Sequence, residues 1–247
     1  MISVLVQCPS ATDATSFYRG VGPFAALRRQ VPGLNLIFSP EVNWATMKLV
    51  DAVFMQRPYT RAHLQLAEMA EDLGKPLWVD FDDLLFDIPS DNPAYQIYMN
   101  EDVQTNIATI SAMADCVSVS TKELKRIWQL PKKPLNERVY VVPNALDDSI
   151  HLRQVGPKEH KLICWRGSAT HQRDLMEVGA HIVDLAKHYP EWTWAFVGYN
   201  PWFITEKMGK QAIVVGNLDL FEYHRFMAKT QPAIQIVPLH DSSFNRC

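Results

Sequence analysis

A polar loop that follows an apolar segment has the residue types of a phosphate-binding site. The stretch KLICWRGSATHQRDL places small, hydroxyl-bearing and basic residues directly after a predicted strand. In a parallel α/β fold, the main-chain N–H groups of such a loop and the start of the next helix meet at one point, which attracts phosphate. A glycine there lets a ligand approach the backbone. The alternative is an ordinary strand-to-helix turn with a hydroxyl as helix cap. The predicted phosphate contacts are Arg166, Gly167, Ser168, Thr170, His171 and Arg173.

Three aspartates follow another apolar segment, PLWVDFDD. Asp80, Asp82 and Asp83 are expected at the rim of a cleft, where mutual repulsion should raise the pKa of at least one carboxyl. Asp82 and Asp83 are the candidate catalytic residues, one of them as a base. Two alternatives stay open. Asp80 and Asp82 could hold Mn²⁺ or Mg²⁺, as a D-x-D motif does in the GT-A glycosyltransferase architecture. The loop could instead cap a helix or pair with arginines.

Two polar segments of the first half are candidates for contacts with a second substrate. Tyr18 and Arg19 precede a helix, and Arg19 could meet the hydroxyl or phosphate groups of an acceptor. Alternatively, Tyr18 packs and Arg19 pairs with an aspartate between positions 80 and 83. Asn144 follows a strand and either binds substrate or closes a turn. The glycines form no GxGxxG pattern and the histidines have no zinc-ligand spacing, so we expect neither NAD nor zinc, and no cofactor.

Alternating apolar and amphipathic segments must position these loops. Continuous apolar runs alternate with helical patterns along the chain, which predicts α/β architecture with parallel sheets covered on both faces. The alternation pauses in a polar stretch at 150–160, which we interpret as a linker between domains 1–149 and 161–247. We therefore expect two Rossmann-like domains that face each other across a cleft, with strand-end loops such as 9–20 and 239–243 at its walls.

Composition narrows the class of protein. The 247 residues carry 24 basic and 27 acidic side chains, a net charge of -3, which gives no basic field for nonspecific nucleic-acid binding. No apolar run approaches the roughly 20 residues of a membrane span. The four cysteines lie far apart and form no CxxC pair, so we expect reduced thiols and a cytoplasmic location.

Five segments in a fixed order resemble the group 1 family of GT-B glycosyltransferases, notably its divergent phage and bacterial members. They are FYRGVGPFAAL, WVDFDDLLFDIP, ADCVSVSTKELK, VYVVPNALD and ICWRGSATHQRDL. The resemblance implies that the second domain binds a nucleotide-diphosphate sugar and the first binds an acceptor, with Tyr18, Arg19 and the aspartates at 80–83 on the acceptor side. Asn144 is assigned to the same side from its place after a strand. It also implies metal-independent transfer, because basic side chains and a helix terminus stabilise the departing diphosphate. The acceptor, whether carbohydrate, nucleic-acid base or protein, and the oligomeric state stay open.

The end of the chain departs from that family pattern. Family members continue past the segment PAIQIVPLHDSSFN into a helix with acidic residues, whereas this sequence stops at Cys247. The resemblance therefore implies an incomplete second domain, with an exposed sheet edge or apolar face near 233–239. A nonenzymatic module that recognises a carbohydrate or a protein on a decayed GT-B fold is the remaining alternative.

Overall fold

The structure, a computed structural model, describes residues 1–10, 12–39, 41–129, 134–146 and 160–247. Apart from His160, the predicted linker at 150–160 lies outside the described residues. The chain divides into two compact units, and a short segment from the first half belongs to the second unit. The first unit comprises Met1–Ile88, Gln96–Asp147 and Arg246–Cys247, and the second comprises Pro89–Tyr95 and Asp148–Asn245.

The first unit is built on a six-stranded parallel sheet with the strand order β2-β1-β3-β4-β5-β6. Its strands are apolar on both faces because helices cover both sides, as in other parallel sheets. Val53, Val79 and Val117, for example, are each no more than 1% exposed. The strands are β1 Ile2–Gln7, β2 Leu34–Phe38, β3 Ala52–Gln56, β4 Leu77–Phe81, β5 Cys116–Val119 and β6 Val139–Val141.

Side-chain caps define several helix starts in the first unit. Thr60 accepts a hydrogen bond from the His63 amide at the start of the helix Arg61–Asp72, and Thr121 accepts one from the Leu124 amide at the start of the helix Lys122–Gln129, as its sequence position predicts. Gly74, with φ +61°, follows the end of α4. The helices are α1 Ala14–Ser16, α2 Gly22–Gln30, α3 Trp44–Lys48, α4 Arg61–Asp72, α5 Tyr95–Tyr98, α6 Glu101–Met113 and α7 Lys122–Gln129, with a π-helical turn at Phe17–Val21.

The second unit has a four-stranded parallel sheet, the smaller of the two, with the order β10-β7-β8-β9. Its strands are β7 Leu162–Arg166, β8 Thr193–Val197, β9 Ala212–Val215 and β10 Ile234–Ile236. Its helices are α8 Gln172–His188, α9 Trp202–Met208 and α10 Leu220–Thr230, with a 3-10 turn at Ala169–His171. The helix α9 ends just before Gly209, where the sequence shows no helical pattern, because a seven-residue helix gives too few turns to show a period.

The core of the second unit lies between α8 and the sheet. Leu175 and Ile182 of α8 are no more than 4% exposed and pack with Phe196 of β8 and Ile204 of α9. These contacts fix the start of α8 against the carboxyl end of β7, which is where the predicted phosphate loop lies.

The outer strand β10 and the residues that follow it leave apolar side chains exposed. Ile234, Val237 and Leu239 are 43%, 76% and 53% exposed, as expected for an apolar sheet edge in this stretch. Among the residues that the structure describes, no helix combines the length and the hydropathy that a membrane span needs.

Candidate functional site

The strand order creates one crevice at the carboxyl edge of the second sheet. From β7 the chain proceeds to β8 and β9 on one side, and then to β10 on the other side of β7. In open parallel sheets, ligands bind at the point where the strand order reverses in this way. The loops that follow β7 and β10 meet there. They are residues 167–171 and 237–243, and the first is the predicted phosphate loop.

The hydroxyl groups of the phosphate loop form a compact pair. The side chains of Ser168 and Thr170 are 2.5 Å apart, and Ser168 Oγ also accepts a hydrogen bond from the Thr170 amide at 3.3 Å. Ser168 is therefore a cap, as the turn alternative expected. The amides of Gly167 and His171 donate to carbonyl groups of Val197 and Ser168. Within the described residues, the amides of Ser168 and Ala169 find no protein acceptor, which leaves two adjacent N–H groups for an anion.

The missing side chain of the loop glycine makes room for a neighbouring ring. A Cβ on Gly167 would lie 2.5 Å from Cζ2 of the Trp165 indole, which occupies the space beside it. Gly198, after β8, has φ +96°, and a Cβ there would lie 2.5 Å from the Gly167 carbonyl oxygen. The backbones of the two strand-end loops therefore approach each other more closely than any side chain would allow. That Gly167 also lets a ligand approach the backbone stays a prediction.

The two arginines of the loop lie in different surroundings. Arg166 is exposed, and its guanidinium carbon sits 4.4 Å from the centre of the Tyr223 ring on α10, a cation–π contact. Arg173 is half exposed, and its Nη1 lies 3.4 Å from the Asp91 carboxylate, which belongs to the same unit. An exposed pair of this kind is weak, so Arg173 can exchange Asp91 for another anion at little cost.

A buried carboxylate joins the two loops of the crevice. Asp174, in the first turn of α8, is 3% exposed, and its oxygens contact ring nitrogens of His171 at 2.8 Å and His240 at 2.9 Å. The His240 amide and Asn245 Nδ2 also donate to it, each at 2.9 Å. Burial raises the pKa of Asp174, but these hydrogen bonds outweigh burial and hold the pKa below its usual value, so the carboxylate is ionised.

Sequence reasoning identified only His171 of this cluster. Asp174 lies in the quoted segment but received no role, and His240 lies in the strand-end loop 239–243 that the sequence analysis assigned to the cleft wall. His240 and Asn245 are 66 and 71 residues from Asp174, so no local pattern could join them to it. The strand-end rule was the one available signal.

In the first unit, the predicted acceptor-side residues lie together around a buried ion pair. Arg19, on the π-helical turn, donates from Nε and Nη2 to the two carboxylate oxygens of Asp80 at 2.9 and 2.5 Å. Its Nη1 donates to the Val142 carbonyl at 2.5 Å and to Asn144 Oδ1 at 3.1 Å. This is the pairing alternative that the sequence left open. Tyr18 is half-buried and packs edge-to-face on a neighbouring ring, 5.8 Å between centroids.

Asp80 lies in a polar environment that is buried from solvent. Ser118, its register partner on β5, donates a short hydrogen bond to Oδ1 and accepts one from the Trp78 indole at 2.7 Å. Burial raises the pKa of Asp80, the ion pair and the Ser118 hydroxyl oppose the rise, and the charge of Asp82 adds to it. The predicted direction is therefore confirmed, although burial rather than repulsion is the main cause.

A second arginine holds the other two aspartates. Arg57 follows β3, has a left-handed backbone with φ +49°, and donates to Asp82 at 2.7 Å and to Asp83 at 2.5 Å. Asp80, Asp82 and Asp83 thus each pair with a guanidinium, which fits the arginine-pairing alternative. The two separate sheets also exclude the GT-A architecture. Among the described residues, no three His, Cys, Asp or Glu side chains are placed to hold a metal ion together.

Comparison with solved structures identifies the fold. No protein-family model matches the chain, and no curated protein matches it by sequence. A UDP complex of Staphylococcus aureus MnaA superposes with a TM-score of 0.56 and 13% identity, over 92% of this chain and 71% of that one. UDP-GlcNAc 2-epimerase from Neisseria meningitidis, bound to UDP-GlcNAc, superposes with a TM-score of 0.52 and 11% identity, over 93% of this chain and 75% of that one. The chain has the GT-B fold.

Another GT-B structure, Anabaena Alr3699/HepE in complex with UDP, gives a TM-score of 0.50 at 16% identity, over 92% of this chain and 71% of that one. The GT-B arrangement of two successive parallel α/β units confirms the predicted fold class. At these identities the likeness concerns the fold, so the roles of the predicted site residues stay predictions.

Proposed function

We propose that this protein is a glycosyltransferase that takes a sugar from a nucleotide-diphosphate donor, and that its second unit binds the donor. The observation that carries the proposal is the β7–α8 loop at the strand-order reversal. There the unpaired amides of Ser168 and Ala169 adjoin the hydroxyls of Ser168 and Thr170. Main-chain N–H groups and hydroxyls at a helix start are the usual ligands of a diphosphate. The UDP complexes among the GT-B neighbours support this assignment.

The reaction exchanges one bond of the sugar for another. The bond between the anomeric carbon and the diphosphate oxygen breaks, the acceptor atom bonds to that carbon, and the acceptor proton passes to a base. Arg173 and the loop amides would stabilise the negative charge on the departing diphosphate, so the chemistry requires no metal ion. Asp82 and Asp83 in the first unit are the proposed bases. Asp83 is the more accessible, because its side chain is 42% exposed against 13% for Asp82.

Epimerisation of the nucleotide sugar is the second candidate. It is favoured by the structural neighbour named UDP-GlcNAc 2-epimerase, whose TM-score of 0.52 is slightly above the 0.50 of the HepE complex. The same diphosphate site would serve both reactions. The two differ in product, because an epimerase returns an altered nucleotide sugar whereas a transferase releases the nucleoside diphosphate.

A thermal-shift panel tests the donor site directly. UDP, GDP, ADP, dTDP and CMP sugars are each added with and without EDTA. A donor at 100 times its dissociation constant should stabilise the folded state by about 2.7 kcal/mol, with EDTA having no effect. Chromatography of the nucleotide after incubation then separates transfer from epimerisation. If no nucleotide sugar raises the melting temperature, the proposed function is wrong and a nonenzymatic role gains support. Loss of the shift in EDTA would contradict metal independence.

A further inference from the structure

We propose that the second unit binds its diphosphate together with a proton, which is taken up by histidine rings that Asp174 holds. The inference rests on the proposed function and concerns the same crevice. It names His240 as a binding residue in addition to His171, and Asp174 as the positioning residue for both. Phosphate oxygens, carried by a nucleotide or by a sugar nucleotide, are the ligand chemistry.

The hydrogen bonds of Asp174 determine where each ring carries its proton. Its Oδ2 lies 2.8 Å from Nδ1 of His171, and its Oδ1 lies 2.9 Å from Nδ1 of His240. An ionised carboxylate can only accept hydrogen bonds, so Nδ1 is the donor in both rings. Asn245 Nδ2 lies 3.1 Å from Nδ1 of His240, but its two hydrogens go to Asp174 Oδ1 and the His240 carbonyl, each at 2.9 Å. In a neutral imidazole the proton on Nδ1 leaves Nε2 with a lone pair and no hydrogen.

An Nε2 atom that carries no hydrogen cannot bind a phosphate oxygen. The nitrogen and the oxygen would both be acceptors, and their lone pairs would repel each other. Protonation reverses this, because an imidazolium donates from both nitrogens and carries the positive charge that a phosphate attracts. Within the part of the chain that the structure describes, Nε2 of His171 and Nε2 of His240 have no protein hydrogen-bond partner. Each ring is thus available to take up a proton when an anion arrives.

The surroundings place these rings at the phosphate loop. His171 directly follows Thr170, and His240 and Thr170 line one small recess of about 20 Å³. Besides Asp174, the charged groups that line this recess are Arg173 of α8 and Asp91 of the segment 89–95, which pair with each other at 3.4 Å. The shared carboxylate sits between the rings, so it offsets the charge of one imidazolium and lowers the cost of forming it.

Calorimetry measures the proton directly. UDP-GlcNAc is a suitable probe, because both of its phosphates are esterified and keep a constant charge near neutral pH. Its binding heat is measured at pH 7.5 in buffers of different ionisation enthalpy, and the slope gives the number of protons taken up. We expect at least about 0.5 proton per molecule bound, and a dissociation constant that rises by up to about tenfold per pH unit for each linked ring.

Three variants test which histidine ring takes up the proton when the ligand binds. His171→Gln and His240→Gln remove one titrating ring each and should reduce the uptake. Asp174→Asn keeps a carbonyl oxygen toward the His240 and Asn245 donors and offers an amide N–H to Nδ1 of His171. This moves the proton of the neutral His171 ring to Nε2, so binding should persist with a smaller proton uptake and a weaker pH dependence. His181→Gln is the matched control, because His181 is exposed on the same helix and far from the loop in sequence. Far-UV circular dichroism checks that each variant is folded.

Each outcome has one meaning. If wild-type protein binds UDP-GlcNAc or another nucleotide sugar without proton uptake, this inference is overturned while the proposed function stands. If the uptake is unchanged in both histidine variants, the proton goes elsewhere and the inference is again overturned. If no nucleotide of the panel binds, both proposals fail. Should Asp174→Asn not fold, the two histidine variants decide the matter alone.

Discussion

Arg19 and Asp80 form a buried ion pair in which two guanidinium nitrogens each donate to a separate carboxylate oxygen. The side chains are 3% and 2% exposed and lie 61 positions apart in the sequence. The pair therefore joins the turn after β1 to the end of β4. Burial alone would lower the pKa of Arg19, but the hydrogen bond and charge of Asp80 outweigh it and raise that pKa.

Removing one member of this pair should destabilise the first unit strongly. Arg19→Met or Asp80→Leu leaves an uncompensated buried charge, and each should lower the free energy of unfolding by about 3–5 kcal/mol. The double variant should lose less than the sum of the two, because no isolated charge remains. Urea denaturation gives all three values. If both single variants lower the free energy of unfolding by less than about 1 kcal/mol, the ion pair does not stabilise the first unit as proposed.

Arg173 should contribute to donor binding. Arg173→Ala removes a charge-assisted contact of roughly 1.5–3 kcal/mol, so the dissociation constant of UDP-GlcNAc should rise by about one to two orders of magnitude. Calorimetry of the variant measures it. Lys187→Ala, at the opposite end of α8, removes the same charge from an exposed position and should leave the affinity unchanged. Equal affinity for wild type and Arg173→Ala would count against the phosphate site.

Gly198 should tolerate no side chain. Gly198→Ala forces a residue with Cβ into a backbone with φ +96° and places that Cβ 2.5 Å from the Gly167 carbonyl oxygen. Such a substitution should lower the free energy of unfolding by roughly 1–3 kcal/mol and disturb the phosphate loop. Gly216→Ala is the control, because Gly216 also follows a strand but has free space around its Cα. Thermal unfolding compares the two, and similar melting temperatures would disprove the close approach.

His63 should make stability depend on pH. Its Nδ1 accepts hydrogen bonds from the amides of Tyr59 and Thr60, and burial lowers its pKa from 6.5 to about 4. Between these two values the unfolded chain binds more protons than the folded one. Stability is therefore full above pH 6.5 and falls as the pH drops toward 4, by at most about 3 kcal/mol.

The variant His63→Gln isolates this effect. Glutamine at the third position of α4 can accept the same backbone hydrogen bonds but does not titrate. Urea denaturation at several pH values between 4.5 and 7.5 should show that wild type loses stability over this window and that the variant loses less. If the free energy of unfolding falls equally with pH in both proteins, His63 is excluded as the cause of the pH dependence.

The periodicity of the sequence was sufficient for the architecture. Strands buried on both faces are continuous apolar runs, and the helices between them have capping residues such as Thr60 and Thr121. Strands and helices can therefore both be recognised in the sequence. The rule that ligands bind beyond the carboxyl ends of parallel strands then identified the β7–α8 loop and the loop 239–243 as candidates. Short elements such as α9 were missed because they span too few turns.

The sequence by itself determined two parallel α/β halves and the polar loop at the end of β7. Only the tertiary structure decided that β10 returns beside β7, that Asp174 thereby meets His240, and that Arg19 is held by Asp80. The physical reason is that local side-chain patterns encode which segments are strands, whereas strand order and buried pairs depend on contacts between residues more than sixty positions apart.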